Sequence, residues 1–359
     1  MSQDIALITN IPAPYRVPVF DIVASYLSKH NINFIVYYLA KIEPNRKWKL
    51  PPLKHNYVFL NSKSLSLNNR TIHFGFILLY YLQKLSPDII ISSGFSLSAL
   101  QAFFWSAIRH KPYISFSDGT LQSEYHIGVL HKAIRHIIVK NSSAYICTSH
   151  KTRELYLKYG ANFSNCFLSP LSIDNDLFLP SPNNSPKYDL LFVGRLTDGK
   201  MPLFIAEIMT KLNRNISLDI IGDGKDRDLF LKQLTTEHIN FHYEGFVQPS
   251  MIHHYYKRAR ILLFPTRADA WGVVANEACA AGLPVITTPD AGVAGELIQH
   301  GKNGFILPAD VDLWVDCIQY LLRNPSIYDK MSRYAQYIVQ NYSFSSSAKG
   351  ILEAIIHSL

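Results

Sequence analysis

The sequence has little cysteine and little charge. Its four cysteines, Cys147, Cys166, Cys279 and Cys317, lie far apart with no Cys-x-x-Cys pair. That excludes a zinc ribbon and a disulfide framework, and it fits a reducing compartment. Charged residues are only 17% and hydrophobic residues 48% of the 359, too apolar for a disordered chain. The opening Met1-Ser2-Gln3-Asp4 lacks a basic n-region and an apolar h-region, so no signal peptide is expected and the location reads as cytoplasmic. One uncharged stretch, 89–108, is long enough to cross a bilayer. Gly94 and several serines interrupt it, so a buried strand Ile89–Ser92, a turn and a core-facing helix are expected instead. His253-His254 has no third ligand at metal-binding spacing, and no metal is expected. No G-x-G-x-x-G follows a strand, which argues against a nicotinamide dehydrogenase. No interleaved aromatic-basic module is present, so nucleic acid is not an expected partner.

Acids are scarce in the first half. Residues 1–180 hold 18 Lys and Arg against 9 Asp and Glu, whereas residues 181–359 hold 17 against 18. The whole basic excess therefore belongs to the first half. It suggests an anionic partner there: a membrane surface, an anionic acceptor or nucleic acid.

At about 150 residues per domain the length predicts two domains. The first half alternates strand-like runs (Asp4–Thr9, Asn33–Tyr38, Asp88–Ser92, Pro112–Phe116, Ala144–Thr148) with helical spacing (Val17–His30, Ile72–Lys84). Such alternation predicts a parallel sheet covered on both faces. Residues 180–188, Pro-Ser-Pro-Asn-Asn-Ser-Pro-Lys-Tyr, read as a linker. The alternation then restarts with strands Asp189–Val193, Ser217–Ile221, Phe241–Tyr243, Ile261–Phe264 and Val285–Thr287. Ser346–His357 is a final helix. The fold class is α/β with two Rossmann-like domains, 1–180 and 181–345.

The chemistry gathers in two loops. After a strand ending at Phe264 come Asp269, Trp271 and Gly272, and a helix opens near Val273 and carries Glu277. Free amides at a helix start suit an anion, and Gly272 lets a ligand approach the backbone. After a strand ending at Val193 come Gly194, Arg195 and Lys200. A guanidinium and an ammonium there suit a diphosphate. In doubly wound sheets both loops lie at the ligand-binding carboxyl ends of the strands. Plainer alternatives stand beside these: Asp269 as a helix cap, Glu277 as a solvated helix acid, and Gly222-Asp223-Gly224 as a structural turn.

These motifs resemble the donor domain of glycosyltransferase family 4, retaining enzymes of the GT-B fold. The matching pieces run in order over about 189–310: Phe192-Val193-Gly194-Arg195-Leu196 with Lys200, Ile221-Gly222-Asp223-Gly224, Glu244-Gly245-Phe246-Val247, Asp269 and Glu277, Ala280–Val285, Gly292–Leu297, and Asn303-Gly304-Phe305. The resemblance implies two domains facing across a cleft, with the final helix (346–359) crossing back to the first. It implies that Arg195 and Lys200 hold the diphosphate of a UDP- or GDP-sugar and that Glu277 bonds the ribose. Asp269 then faces the sugar hydroxyls, Gly272, Val273 and Val274 offer amides, and Phe246 and Val247 border the base. Arg195, Lys200 and Asp269 belong to the implied catalytic set, and no cofactor or metal is implied. Asp269 stands where the family usually has Glu, and Trp271 where it usually has Phe.

The first half resembles a subgroup with a Pro-Tyr-Arg loop, here Pro14-Tyr15-Arg16. Arg16 would meet donor phosphates or an acidic acceptor, or else pair within its own helix. Asp118 ends a strand where relatives place a His; it would orient or deprotonate the acceptor hydroxyl, or simply shape a turn before Gly119. Residues 124–140 read as an amphipathic helix with Ile127, Leu130, Ile134, Ile137 and Ile138 on one face and Lys132, Arg135, His136 and Lys140 opposite. It either lies on anionic membrane or turns its apolar face into the core. The expected function is transfer of a hexose or related sugar to a glycan or lipid-linked glycan in cell-surface polysaccharide synthesis, at the inner membrane face. The alternative is a non-catalytic nucleotide-sugar-binding or membrane-associated scaffold.

Overall fold

Strands of parallel sheets are covered on both faces, so they read as continuous apolar runs; Asp4–Thr9 is such a run. In the computed structural model it becomes strand β1 (Gln3–Thr9), buried from Ile5 to Ile8. The structure describes residues 3–43, 46–67, 70–125, 127–180 and 186–359. It divides into two units, Met1–Ser172 with Phe344–Leu359, and Ile173–Ser343.

In the front unit β1 is followed by α1 (Val17–Ser28), β2 (Ile32–Tyr38), β3 (Asn56–Phe59), the hairpin β4 (Lys63–Leu67) and β5 (Arg70–Phe74), and α2 (Ile77–Leu85). Then come β6 (Ile89–Ser93), α3 (Leu97–Ile108), β7 (Tyr113–Ser117), α4 (Val129–Lys140), β8 (Ala144–Cys147), α5 (His150–Lys158) and β9 (Cys166–Leu168). The main sheet has the order β3-β2-β1-β6-β7-β8-β9, and its strands pair in parallel. Pro18 sits in the first turn of α1, where its missing N–H costs nothing. Val19, Phe20, Val23 and Leu27 follow at helical spacing and are buried on one sheet face. Residues of α2, α3 and α4, among them Leu82, Phe103 and Ile138, pack on the opposite face.

The rear unit begins with α6 (Asn175–Phe178) and continues with β10 (Tyr188–Val193), α7 (Pro202–Lys211), β11 (Leu218–Ile221), α8 (Arg227–Thr236), β12 (Phe241–Gly245), α9 (His253–Tyr256) and β13 (Ala259–Phe264). After these come α10 (Val273–Ala280), β14 (Val285–Thr287), β15 (Gly304–Ile306), α11 (Val311–Arg323) and α12 (Pro325–Val339). Its sheet order is β12-β11-β10-β13-β14-β15, again parallel.

The last helix, α13 (Phe344–Ser358), belongs to the front unit. Ala348, Ile351, Ala354 and Ile355 are buried there with residues of α1. Gly350 makes this approach feasible: a Cβ there would stand 1.8 Å from the Leu168 carbonyl oxygen.

Several expectations need correction. The units part at Ser172/Ile173 and again at Ser343/Phe344, not at 180/181 and 345/346. The cause is local: Ile173 bridges Ser343, and the Asn175 side chain donates to the Val339 carbonyl at 3.1 Å, so 173–180 belongs with the rear unit. Of the linker 180–188, residues 181–185 lie outside the described residues. The helix expected over Ile72–Lys84 starts at Ile77; β-branched Thr71 and Ile72 lie in β5, and Gly75 at φ +141° breaks the chain between them. The helix expected from 124 starts at Val129. The 89–108 stretch is a strand, a turn and a helix, and among the described residues no helix is long and apolar enough to cross a membrane.

Candidate active site

The sheet of the rear unit reverses its winding at β10, whose neighbours are β11 on one side and β13 on the other. Such a switch point opens a crevice at the carboxyl ends of the strands. The two loops with the expected chemistry leave from β10 and β13. They are bonded to each other: Thr266 Oγ1 donates to the Gly199 carbonyl at 3.0 Å, the Arg267 amide donates to the same oxygen at 3.1 Å, and Arg267 pairs with Asp198 at 3.3 Å.

Lys200 and Asp269 form an ion pair across these loops. The Lys200 ammonium also lies 3.5 Å from Thr266 Oγ1 and 5.2 Å from the centroid of the Phe264 ring. Asp269 accepts the Trp271 amide at 3.1 Å, and its own carbonyl accepts the Gly292 amide at 2.8 Å. A Cβ at Gly292 would stand 1.9 Å from the Ala270 carbonyl oxygen, so this close support requires glycine. The residue that caps α10 is Gly272, and no side chain caps it. Asp269 is thus not the helix cap, and the Val273 and Val274 amides at the helix start have no capping side chain. Arg195 sits exposed on the β10 loop and has no ion-pair partner among the described residues.

Glu277 is on α10, and its carboxylate accepts the Tyr256 hydroxyl at 2.6 Å. Tyr256 is itself fully buried against the Phe178 ring, with centroids 5.5 Å apart. Burial pushes the Glu277 carboxyl up to about 7, and the Tyr256 hydrogen bond opposes the rise. It is therefore not a solvated helix acid. Phe246 and Val247 follow β12 at the same carboxyl edge, with Phe246 exposed. Gly222, at φ +138°, seats the β11 loop against the β10 loop; a Cβ there would lie 1.8 Å from the Gly194 carbonyl oxygen.

The raised carboxyl gives a stability prediction with a definite sign. The folded chain holds the Glu277 proton up to about pH 7, while the unfolded chain releases it near 4.5. Unfolding thus releases a proton between these values, and stability falls as pH rises through 7, by at most about 3 kcal/mol. Urea unfolding between pH 5 and 8.5 should show this slope in the wild type and lose it in Glu277→Gln. Equal slopes would mean the carboxyl titrates normally.

In the front unit Tyr15, Arg16 and Asp118 line one cavity of about 250 Å³ at the carboxyl ends of β1, β6 and β7. Pro14 shares their loop but is not part of the wall. Arg46 and Trp48, from the β2–β3 connection, also line it. Sequence reasoning missed both, as it missed Tyr256 and Thr266; no local pattern marks any of them. Among the described residues no three His, Cys, Asp or Glu side chains gather as metal ligands would.

The rear unit is similar to a known family. The family model for glycosyl transferases group 1 matches residues 175–337. The match falls within the rear unit, Ile173–Ser343. The matched region runs from α6 into α12 and includes Arg195, Lys200, Phe246, Tyr256, Asp269, Gly272 and Glu277. A D-inositol 3-phosphate glycosyltransferase of Pseudarthrobacter chlorophenolicus is 26% identical over 243 residues, 61% of this chain and 57% of that protein. The chain thus spans a little over half of that relative's length. Anabaena HepE, solved with UDP and glucose, superposes with a TM-score of 0.76 at 16% identity over 99% of both chains. The lipopolysaccharide outer core galactosyltransferase WaaB gives 0.71 at 20% identity over 99% of this chain and 100% of that one. The architecture is accordingly GT-B, two parallel-sheet α/β domains.

Proposed function

We propose that the chain is a retaining, metal-independent glycosyltransferase of family 4 that moves a hexosyl or related sugar from a nucleotide-diphospho-sugar to a glycan or lipid-linked glycan in cell-surface polysaccharide synthesis. The observation that carries this reading is the convergence of Lys200, Asp269, Glu277 and the uncapped start of α10 at one switch point. Arg195 and Lys200, with the α10 amides, take the diphosphate and stabilise its charge as the glycosidic bond breaks. Asp269 accepts sugar hydroxyls and Glu277 the ribose hydroxyls. Retention of configuration rests on the resemblance. UDP is favoured over GDP because HepE was solved with UDP and glucose. The front unit takes the acceptor, and Asp118 accepts its hydroxyl proton. A thermal-shift screen of nucleotide-sugars names the donor, since a ligand of the folded form raises the melting temperature. NMR of the product then reads the anomer; transfer with inversion, or no sugar-nucleotide binding at all, would refute the reading.

A lipid-linked acceptor requires contact with a membrane surface, and three helices support it. Phe76, beside α2, Ile108 on α3 and Val129 on α4 are 79%, 74% and 85% exposed. Tyr80, Phe104 and Leu130 on the same helices are also exposed. The apolar stripe of α4 is divided: Ile138 and Val139 enter the core, while Leu130 and Ile137 stay outside. None of α2, α3 and α4 contains Asp or Glu, and Lys84, Lys132 and Lys140 lie on them. Apolar side chains among cations suit an anionic leaflet. The full chain should float with phosphatidylserine vesicles at low salt, and Val129→Glu with Leu130→Glu should cut the bound fraction at least fivefold. Flotation indifferent to both the variant and the salt would remove the membrane claim.

A further inference from the structure

We propose that the cavity of the front unit is a subsite for a single sugar-sized ring bearing one carboxylate, gripped by Arg16 and Arg46. Calling that ring the acceptor rests on the transferase reading above; its binding does not.

The position is the first argument. In the order β3-β2-β1-β6-β7 the winding reverses between β1 and β6, and the cavity lies at the carboxyl ends of those strands. This is where an open parallel sheet admits a ligand. At about 250 Å³ the cavity is smaller than pockets for drug-sized ligands, which run from about 300 to 1,000 Å³. It suits one ring better than a nucleotide.

The walls supply the chemistry. Among the described residues, Arg16 Nη1 is enclosed and has no hydrogen-bond partner, and neither has Arg46 Nε. Buried donors are nearly always paired, so two enclosed guanidinium nitrogens without partners in one cavity point to a ligand that pairs them. Each guanidinium lies over an aromatic ring, Arg16 4.6 Å from the Phe116 centroid and Arg46 4.6 Å from the Trp48 centroid. Stacking occupies the flat faces and leaves the in-plane N–H fork for an acceptor of matching geometry, which a carboxylate is. Burial lowers the Arg16 pKa; nearby Tyr15 and Asp118 offset this, although no ion pair with Asp118 forms.

The charge balance narrows the ligand further. Glu43 and Asp118 also line the cavity, so its two cations face two carboxylates. A neutral cavity disfavours a diphosphate or a phosphate dianion. It favours a monoanion whose hydroxyls can donate to the exposed Asp118 at the rim.

The test uses the full chain at pH 7.5, with affinities read by isothermal titration and saturation-transfer NMR. The probes are D-glucuronate, D-galacturonate, D-mannuronate, glucose and glucose 6-phosphate. At least one uronate should bind tenfold more tightly than glucose and more tightly than glucose 6-phosphate. Arg16→Gln should weaken that uronate at least tenfold, Arg16→Lys less, and neither should change UDP affinity by more than twofold. Neither variant should lower the melting temperature, because each relieves an enclosed cationic fork. Equal binding of glucose and the uronates would overturn the proposal, as would preference for the phosphate, no uronate binding at 10 mM, or loss of UDP in place of the uronate. If uronate binding holds and no nucleotide-sugar binds, the transferase reading fails and this one stands.

Discussion

Lys200→Ala should slow sugar transfer by about 100- to 1,000-fold while the chain folds normally, the range seen when one preorganised donor to a developing charge is removed. The reason lies in the ion pair. Lys200 belongs to the β10 loop and Asp269 to the β13 loop, and the ammonium neutralises the carboxylate where the leaving diphosphate is proposed to sit. Its loss removes one cation from the leaving group and also leaves an unpaired anion beside it. Asp269→Asn should therefore restore part of the activity lost in Lys200→Ala, so the double variant should lose less than the product of the two single losses. Arg195→Ala should fall in the same range, but without rescue by Asp269→Asn, because Arg195 has no ion-pair partner among the described residues. Near wild-type turnover in both Lys200→Ala and Arg195→Ala would remove the charge-stabilisation account.

Gly222→Ala should be the most damaging single methyl group in the rear unit. The residue adopts φ +138°, which L side chains rarely do, and the added Cβ would meet the Gly194 carbonyl oxygen at 1.8 Å. The obstacle is the Gly194 backbone, so no side chain can move aside. The strain should cost about 3 kcal/mol or more, equivalent to a fall in melting temperature of about 10 °C. It should also displace the loop carrying Arg195 and Lys200, so UDP affinity should fall further than stability alone explains. Gly199→Ala is the control on the same loop: a Cβ there meets nothing within 4 Å. A Gly222→Ala chain as stable as the control would show that the two loops are not held this tightly.

The parallel strands were legible because each is sealed on both faces and is written as an unbroken apolar run; Asp4–Thr9 and Val285–Thr287 are examples. The helix at Val273 was legible because Gly272 marks its start. The hairpin of β4 and β5 escaped because its second strand runs into the helical spacing of α2, and only Gly75 separates them. The residues of the proposed donor site could be named because strand-end loops carry them at recognisable spacing. Their bonding could not be foreseen: Lys200 and Asp269 are 69 positions apart, and Tyr256 reaches Glu277 from a four-residue helix. The cavity of the front unit was half visible. Arg16 and Asp118 follow strands, whereas Arg46 and Trp48 come from an irregular connection whose path no local pattern dictates.

The membership of α13 in the front unit has a consequence for biosynthesis. Translation runs from residue 1 onward, yet the front core includes Ala348, Ile351, Ala354 and Ile355. The ribosome must therefore make the whole rear unit before the first-made strands receive their last covering helix. Until α13 has been made, one face of β7, β8 and β9 stays without that cover, open to chaperones and to proteases. A gene fragment stopped at codon 172 would produce that immature state permanently.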